Sequence, residues 1–227
     1  MQRRPGLLNR MTQGVQDKLN TIIPEKFHVL ITKTMKKMVE VVMNGAGFIT
    51  GKPKSITSLA ETEGLIRERI KWYKTTAATE GGVAGAGGFV LALADFPVLI
   101  GIKIKLLFDI ALLYGFDTED YKERLYLLQI FEISFCSDKH RRKVFENMQD
   151  WHLKSAALPK DMSSVDWRRF QQQYRDYIDL AKMAQLIPVI GAAVGWVANY
   201  RLVNKLGYTA MQAYRMRLEK ETEIFNP

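Results

Sequence analysis

The amino-acid sequence predicts an all-α fold, a single bundle of about nine or ten helices. Three observations carry that expectation. Apolar residues recur at steps of three and four through most of the chain, which is the period of one helix face. Gly, Pro, Asn and Ser gather in a few places, such as residues 44–58 and 158–164, where they separate helices as loops. No run alternates apolar and polar residues between turn dipeptides, as a half-buried strand would.

The first helix is expected within residues 1–24. Leu7, Leu8, Met11, Val15, Leu19, Ile22 and Ile23 follow at steps of one, three or four, so they share a face. Pro5 suits a first turn and Pro24 ends the segment. The opposite face carries Arg3, Arg4, Arg10 and Lys18. A basic amphipathic helix of this kind fits the surface of an anionic membrane, with Leu7, Leu8 and Met11 toward the acyl chains. Residues 25–227 then form the helical domain. Its first helix sets Phe27, Leu30, Ile31, Met35, Met38 and Val42 on one side and Lys33, Lys36 and Lys37 largely elsewhere.

After the loop at 44–58 comes a polar helix over about 59–78. The next stretch, TEGGVAGAGGFVLALADFPVLIGIKIK, is apolar and rich in glycine. Asp95 is placed to cap a new helix, because Pro97 has no amide hydrogen and leaves the carboxylate to bond the amide of Val98. That splits the run into 83–94 and 96–114. The first half is about 18 Å long, too short for a hydrocarbon core of about 30 Å. The second holds Lys103, Lys105 and Asp109, each costing about 2.5–3.5 kcal/mol near a bilayer centre. A buried or re-entrant hairpin is therefore expected rather than a span.

Gly115 closes a helix, Asp117 or Thr118 caps the next, and Ser137 caps another. Following the loop at 158–164, a helix runs to Pro188, a further one is stopped by Gly207, and a last one covers about 208–221. Gly191 and Gly195 form a Gly-x-x-x-Gly spacing in an uncharged run from Met183 to Tyr200. Small residues let helix backbones approach. Gly85, Gly87 and Gly88 are therefore expected to pack against Gly191 and Gly195 at the centre of the bundle.

Charge is unevenly placed. Residues 1–60 hold 10 Lys and Arg against 3 Asp and Glu, whereas the remainder holds 23 against 21. The cationic leading segment calls for an anionic partner. A mean hydropathy of -0.13 argues against a polytopic membrane protein. No apolar core of signal-peptide length follows the N-terminus, so a cytoplasmic location is expected. The single Cys136 gives no intramolecular disulfide.

Several chemistries find no support. The glycines at 81, 82, 85, 87 and 88 miss the dinucleotide spacing, and no Gly-Lys-Ser/Thr follows for a phosphate loop. One Glu-x-x-His, Glu25 to His28, falls short of a di-iron bundle, and no ligand group suits zinc. Neither cofactor nor metal is expected. The run at 139–143, KHRRK, lacks an aromatic platform or helix-turn-helix context, so no specific nucleic acid is expected. Glu80, Asp95, Asp109, Asp176 and Asn199 are the candidate polar residues. Ion pairing with Lys103, Lys105, Arg175 or Arg201 would satisfy the buried carboxylates. An acid/base or metal site around Asp95 and Asp109 is the other reading.

The runs TAATEGGVAGAGG, LADFPVLIGIKIKLLFDIALLYGFD, ERLYLLQIF, WRRFQQQYRDYIDLAKMAQLIPVIGAAVGWVANYRLVNKLG and TAMQAYRMR resemble the EcsC family, named for a gene beside an ABC transporter operon in Gram-positive bacteria. The resemblance covers residues from about 33 to 217. It implies a bacterial, cytoplasm-facing helical protein associated with the membrane or with a transporter. It supplies no established active site, although Asp95 and Asn199 fall within the matching runs. The expected function is non-catalytic, the protein associating peripherally or partly with the cytoplasmic membrane. Anionic lipid at the inner face of the cell membrane, and a membrane transporter, are the expected partners. A soluble helical enzyme or lipid-binding protein, with a pocket near Asp95 and Asn199, is the alternative.

Overall fold

The computed structural model describes residues 25–45, 47–49, 51–56, 58–86, 88–159 and 191–225. These form seven helices: α1 Glu25–Asn44, α2 Leu59–Ala86, α3 Gly88–Leu113, α4 Tyr121–Phe135, α5 Asp138–Gln149, α6 Trp151–Ala156 and α7 Gly191–Phe225. No strand occurs among the described residues. The helices expected over 1–24 and before Pro188 lie outside them, as do Arg3, Arg4, Leu7, Leu8, Arg10, Met11, Lys18, Gly87 and Asp176.

Helix α2 runs antiparallel to α7. Glu63 pairs with Arg215, Gly207 lies against Ile70, and Lys74 Nζ donates to Asn204 Oδ1 at 3.2 Å. Helix α3 returns along α2, where the Tyr73 hydroxyl donates to Asp109 at 2.8 Å. Helices α3 and α7 meet at Lys103 with Asn199, and again where the rings of Tyr114 and Tyr214 stack at 5.2 Å. Helix α4 lies alongside α7, the Tyr126 hydroxyl donating to the Ala213 carbonyl at 2.9 Å. Arg124 ties α4 to the end of α1 through the Met43 carbonyl. The apolar stripe read on α1 holds for its described members: Met35, Met38 and Val42 are buried, while Lys33, Lys36 and Lys37 are exposed.

Several boundaries differ from expectation. Asp95 does not cap a helix, because α3 continues through Asp95 and Pro97 to Leu113. A proline in a helix interior costs about 3 kcal/mol. The residues beyond it include Leu99, Ile100, Ile104, Leu106, Leu107 and Phe108, all buried. Each contributes about 1.5–3 kcal/mol by burial, so an unbroken helix that presents them together wins. Helix α2 likewise extends past residue 78 to Ala86.

Gly207 is a further correction. It stops nothing, since α7 is one helix from Gly191 to Phe225. A Cβ on it would sit 2.5 Å from Ile70 Cγ1. The residue serves close approach of α2, not termination.

Gly115, by contrast, ends α3 as read. Its φ is +79°; its amide bonds the Leu112 carbonyl and the Phe116 amide bonds that of Ala111, the paired closure that a left-handed glycine allows. The cap of α4 is Asp120, whose side chain accepts from the Lys122 amide. Asp117 instead accepts from the Glu119 amide. Ser137 occupies the cap position of α5 but makes no side-chain cap bond; its hydroxyl lies 2.8 Å from His140 Nδ1.

Candidate functional site

Between α3 and α7 lies an uncommon buried group. Lys103 has no exposed surface, and its Nζ donates to the Leu99 carbonyl at 3.1 Å and to Asn199 Oδ1 at 3.0 Å. Both acceptors are neutral. Burial therefore acts unopposed and pushes the ammonium down to about 7. Asn199 is also fully buried. Sequence spacing gave no sign of this pair, whose members are 96 positions apart. An apolar helix bearing two lysines, Lys103 and Lys105, was the available signal.

The candidate carboxylates go to different places. Asp109 accepts from the Tyr73 hydroxyl and, at 2.8 Å, from Lys105. Lys105 also reaches the Phe48 carbonyl. Burial and the neighbouring Asp109 raise the Tyr73 phenol, so it keeps its proton and donates. Glu80 is exposed near the end of α2, and Asp95 is half-buried on α3. Asp109 and Asn199 thus sit in separate hydrogen-bonded groups rather than around one shared centre.

Two buried glutamates not singled out in the sequence hold α7 in place. Glu63 forms a two-pronged pair with Arg215 and meets Arg67 at 3.4 Å. Its hydrogen bonds from Arg215 outweigh burial and hold its carboxyl below the usual range. Glu123 accepts from the Tyr214 hydroxyl and from Arg217, each at 2.5 Å. Burial is the larger influence there and raises the carboxyl despite Arg217. The Arg217 guanidinium lies 4.0 Å from the Phe116 ring centre. A third carboxyl, Glu132 on α4, is buried and pushed up to about 7, with Lys143 opposing.

A groove opens between α1 and α3. Its volume is about 350 Å³. From α1 it is lined by Lys33, Thr34, Lys37, Met38, Val41 and Val42, one face at helical spacing. Pro97, Ile100, Gly101 and Ile104 of α3 form the opposite wall, and Phe48 closes one side. Among the described residues the lining is almost wholly apolar, with two lysines and no acid. Cavities of this size and composition are typical small-molecule sites. The sequence reading missed it, because a groove depends on two helices far apart in the chain.

Among the described residues, no group of three or more His, Cys, Asp or Glu side chains could hold a metal ion. No described helix is long and apolar enough to cross a membrane.

Comparison with known proteins identifies the family of the chain. The model of the EcsC protein family matches residues 1–218, extending the resemblance through the basic N-terminal segment. Protein EcsC of Bacillus subtilis (strain 168) is 44% identical over 221 residues, covering 97% of this chain and 91% of that protein. A second protein of that organism, "Uncharacterized protein YdbA", is 28% identical, with 95% of this chain and 87% of its own length covered. No solved structure matches the chain. A family match over nearly the whole length, with a relative at this identity, means that the chain belongs to the EcsC protein family.

Proposed function

We propose that this protein is a non-catalytic EcsC-family member that associates peripherally with the inner face of the cytoplasmic membrane, attracted by anionic lipid, as an accessory to a membrane transporter. The observation that carries this reading is the exposed lysine face of α1, Lys33, Lys36 and Lys37, which continues the positive charge of residues 1–24. Clustered lysines gain about 1 kcal/mol each near an anionic surface. The transporter role comes from the family resemblance alone.

The glycine-rich segments bear on how the bundle supports that surface. Along α2 and α7, residue numbers fall on one helix as they rise on the other, from Glu63–Arg215 through Ile70–Gly207 to Lys74–Asn204. Continuing that register would set Gly85, near the end of α2, opposite the stretch between Gly191 and Gly195 at the start of α7. A close backbone contact there would tie the hairpin to α7 inside the protein.

Flotation with liposomes tests the membrane reading. Retention should be strong on vesicles containing phosphatidylglycerol and weak on pure phosphatidylcholine. Charge reversal by Lys33→Glu, Lys36→Glu and Lys37→Glu together should release the protein. Equal retention on both vesicle types would remove the electrostatic part.

The alternative, a soluble enzyme or lipid-binding protein with a pocket near Asp95 and Asn199, gains support on one side only. The groove begins at Pro97, two residues beyond Asp95, whereas Asn199 is engaged with Lys103 between α3 and α7.

A further inference from the structure

We infer that the groove between α1 and α3 binds the single chain of a long-chain fatty carboxylate, with the carboxylate held by Lys33 and Lys37. The inference deepens the proposed affinity for anionic lipid and rests on that reading for the charge of the ligand.

Gly101 is the first observation. A glycine in a helix interior is disfavoured by about 1 kcal/mol relative to alanine. Close approach to a neighbouring helix explains one, as at Gly207. Gly101 has no such contact: it is inside α3, its φ is not positive, and a Cβ built on it meets nothing within 4 Å. What its missing side chain supplies is room in the groove. Pro97, one turn earlier on the same wall, is exposed, and Gly101 itself is half-buried.

Charge is the second observation. Lys33 and Lys37 are four residues apart on α1, hence on one edge, and both are exposed. Lys37 has an exposed contact with Glu40 at 3.3 Å, across which water still reaches both groups. Among the described residues, no acidic side chain lines the groove. An apolar trough with positive charge at its rim selects a ligand with an apolar body and one anionic end. The volume of about 350 Å³ lies at the small end of the roughly 300–1,000 Å³ range of ligand sites, with room for one chain rather than a diacyl pair. Long lysine stems can cover the chain while their ammonium groups meet the head.

The test uses the full chain and palmitate below its micelle concentration, followed by displacement of a fluorescent fatty acid. Saturable binding is expected. Gly101→Phe should weaken it by at least about tenfold by filling the trough, while flotation on anionic vesicles and the helical circular dichroism stay unchanged. Should the phenylalanine variant misfold, Gly101→Leu takes its place. The double variant Lys33→Gln/Lys37→Gln should weaken palmitate more than hexadecanol, which has the same chain without the charge. Absence of saturable palmitate binding by the full chain, or binding that a folded Gly101 variant leaves intact, overturns the inference. A protein that floats on anionic vesicles but ignores palmitate sinks the groove alone; one that binds palmitate but does not float sinks the membrane reading alone.

Discussion

Gly207 of α7 and Ile70 of α2 are in such close contact that a single added carbon on the glycine would lie 2.5 Å from Ile70 Cγ1 and 2.7 Å from Cδ1. Ile70 is buried and β-branched, so it has little freedom to yield. Gly207→Ala is therefore expected to destabilise the protein by about 1–3 kcal/mol, even though alanine is the better helix former by about 1 kcal/mol. In urea denaturation, Ile70→Ala should partly rescue Gly207→Ala. Additive losses in that double-mutant cycle would mean that the contact is not what the glycine serves.

Lys103 makes stability depend on pH. Its folded value is depressed to about 7, so between pH 7 and the ordinary lysine range the unfolded chain holds a proton that the folded chain lacks. Its contribution is complete above that range and is lost as pH falls through about 7. Stability should rise across this window by up to about 1.4 kcal/mol per pH unit from this group. Lys103→Met should abolish that increment when unfolding free energies at pH 7 and pH 9 are compared. Identical slopes for the two proteins would show that the lysine stays charged in the fold.

Glu132 works in the opposite direction. Burial raises it to about 7, so the folded chain holds the extra proton between the usual carboxylate range and neutrality. The associated stability is complete at low pH and lost as pH rises through about 7. Glu132→Gln should therefore melt near wild type at pH 4.5. At pH 8 it should be more stable by about 1–3 kcal/mol. No gain at pH 8 would indicate that Lys143 pairs with the carboxylate in solution.

Arg217 is the counter-charge of buried Glu123. Arg217→Met should cost about 3–5 kcal/mol at neutral pH, because it leaves a carboxylate buried without its cation. Adding Glu123→Gln should recover part of the loss. If the double variant is as unstable as the single, the packing of Arg217 on Phe116 and Tyr126 matters more than its charge.

The helical periodicity alone determined that this chain is built of helices. It located the buried stripe of α1 and the glycine closure at Gly115, because both depend on neighbours within a few residues. Local rules also misled. Asp95 and Pro97 carry the marks of a helix start and Gly207 those of a stop, yet each lies inside a continuous helix. The burial of a whole helix face outweighs a local preference of a few kcal/mol.

Only the tertiary structure decided that Lys103 meets Asn199, that Glu123 meets Arg217, and that α1 and α3 leave a lysine-edged groove. Each joins residues tens of positions apart. Their meeting depends on how helices cross, and that is set by the summed packing of many side chains rather than by any motif along the chain.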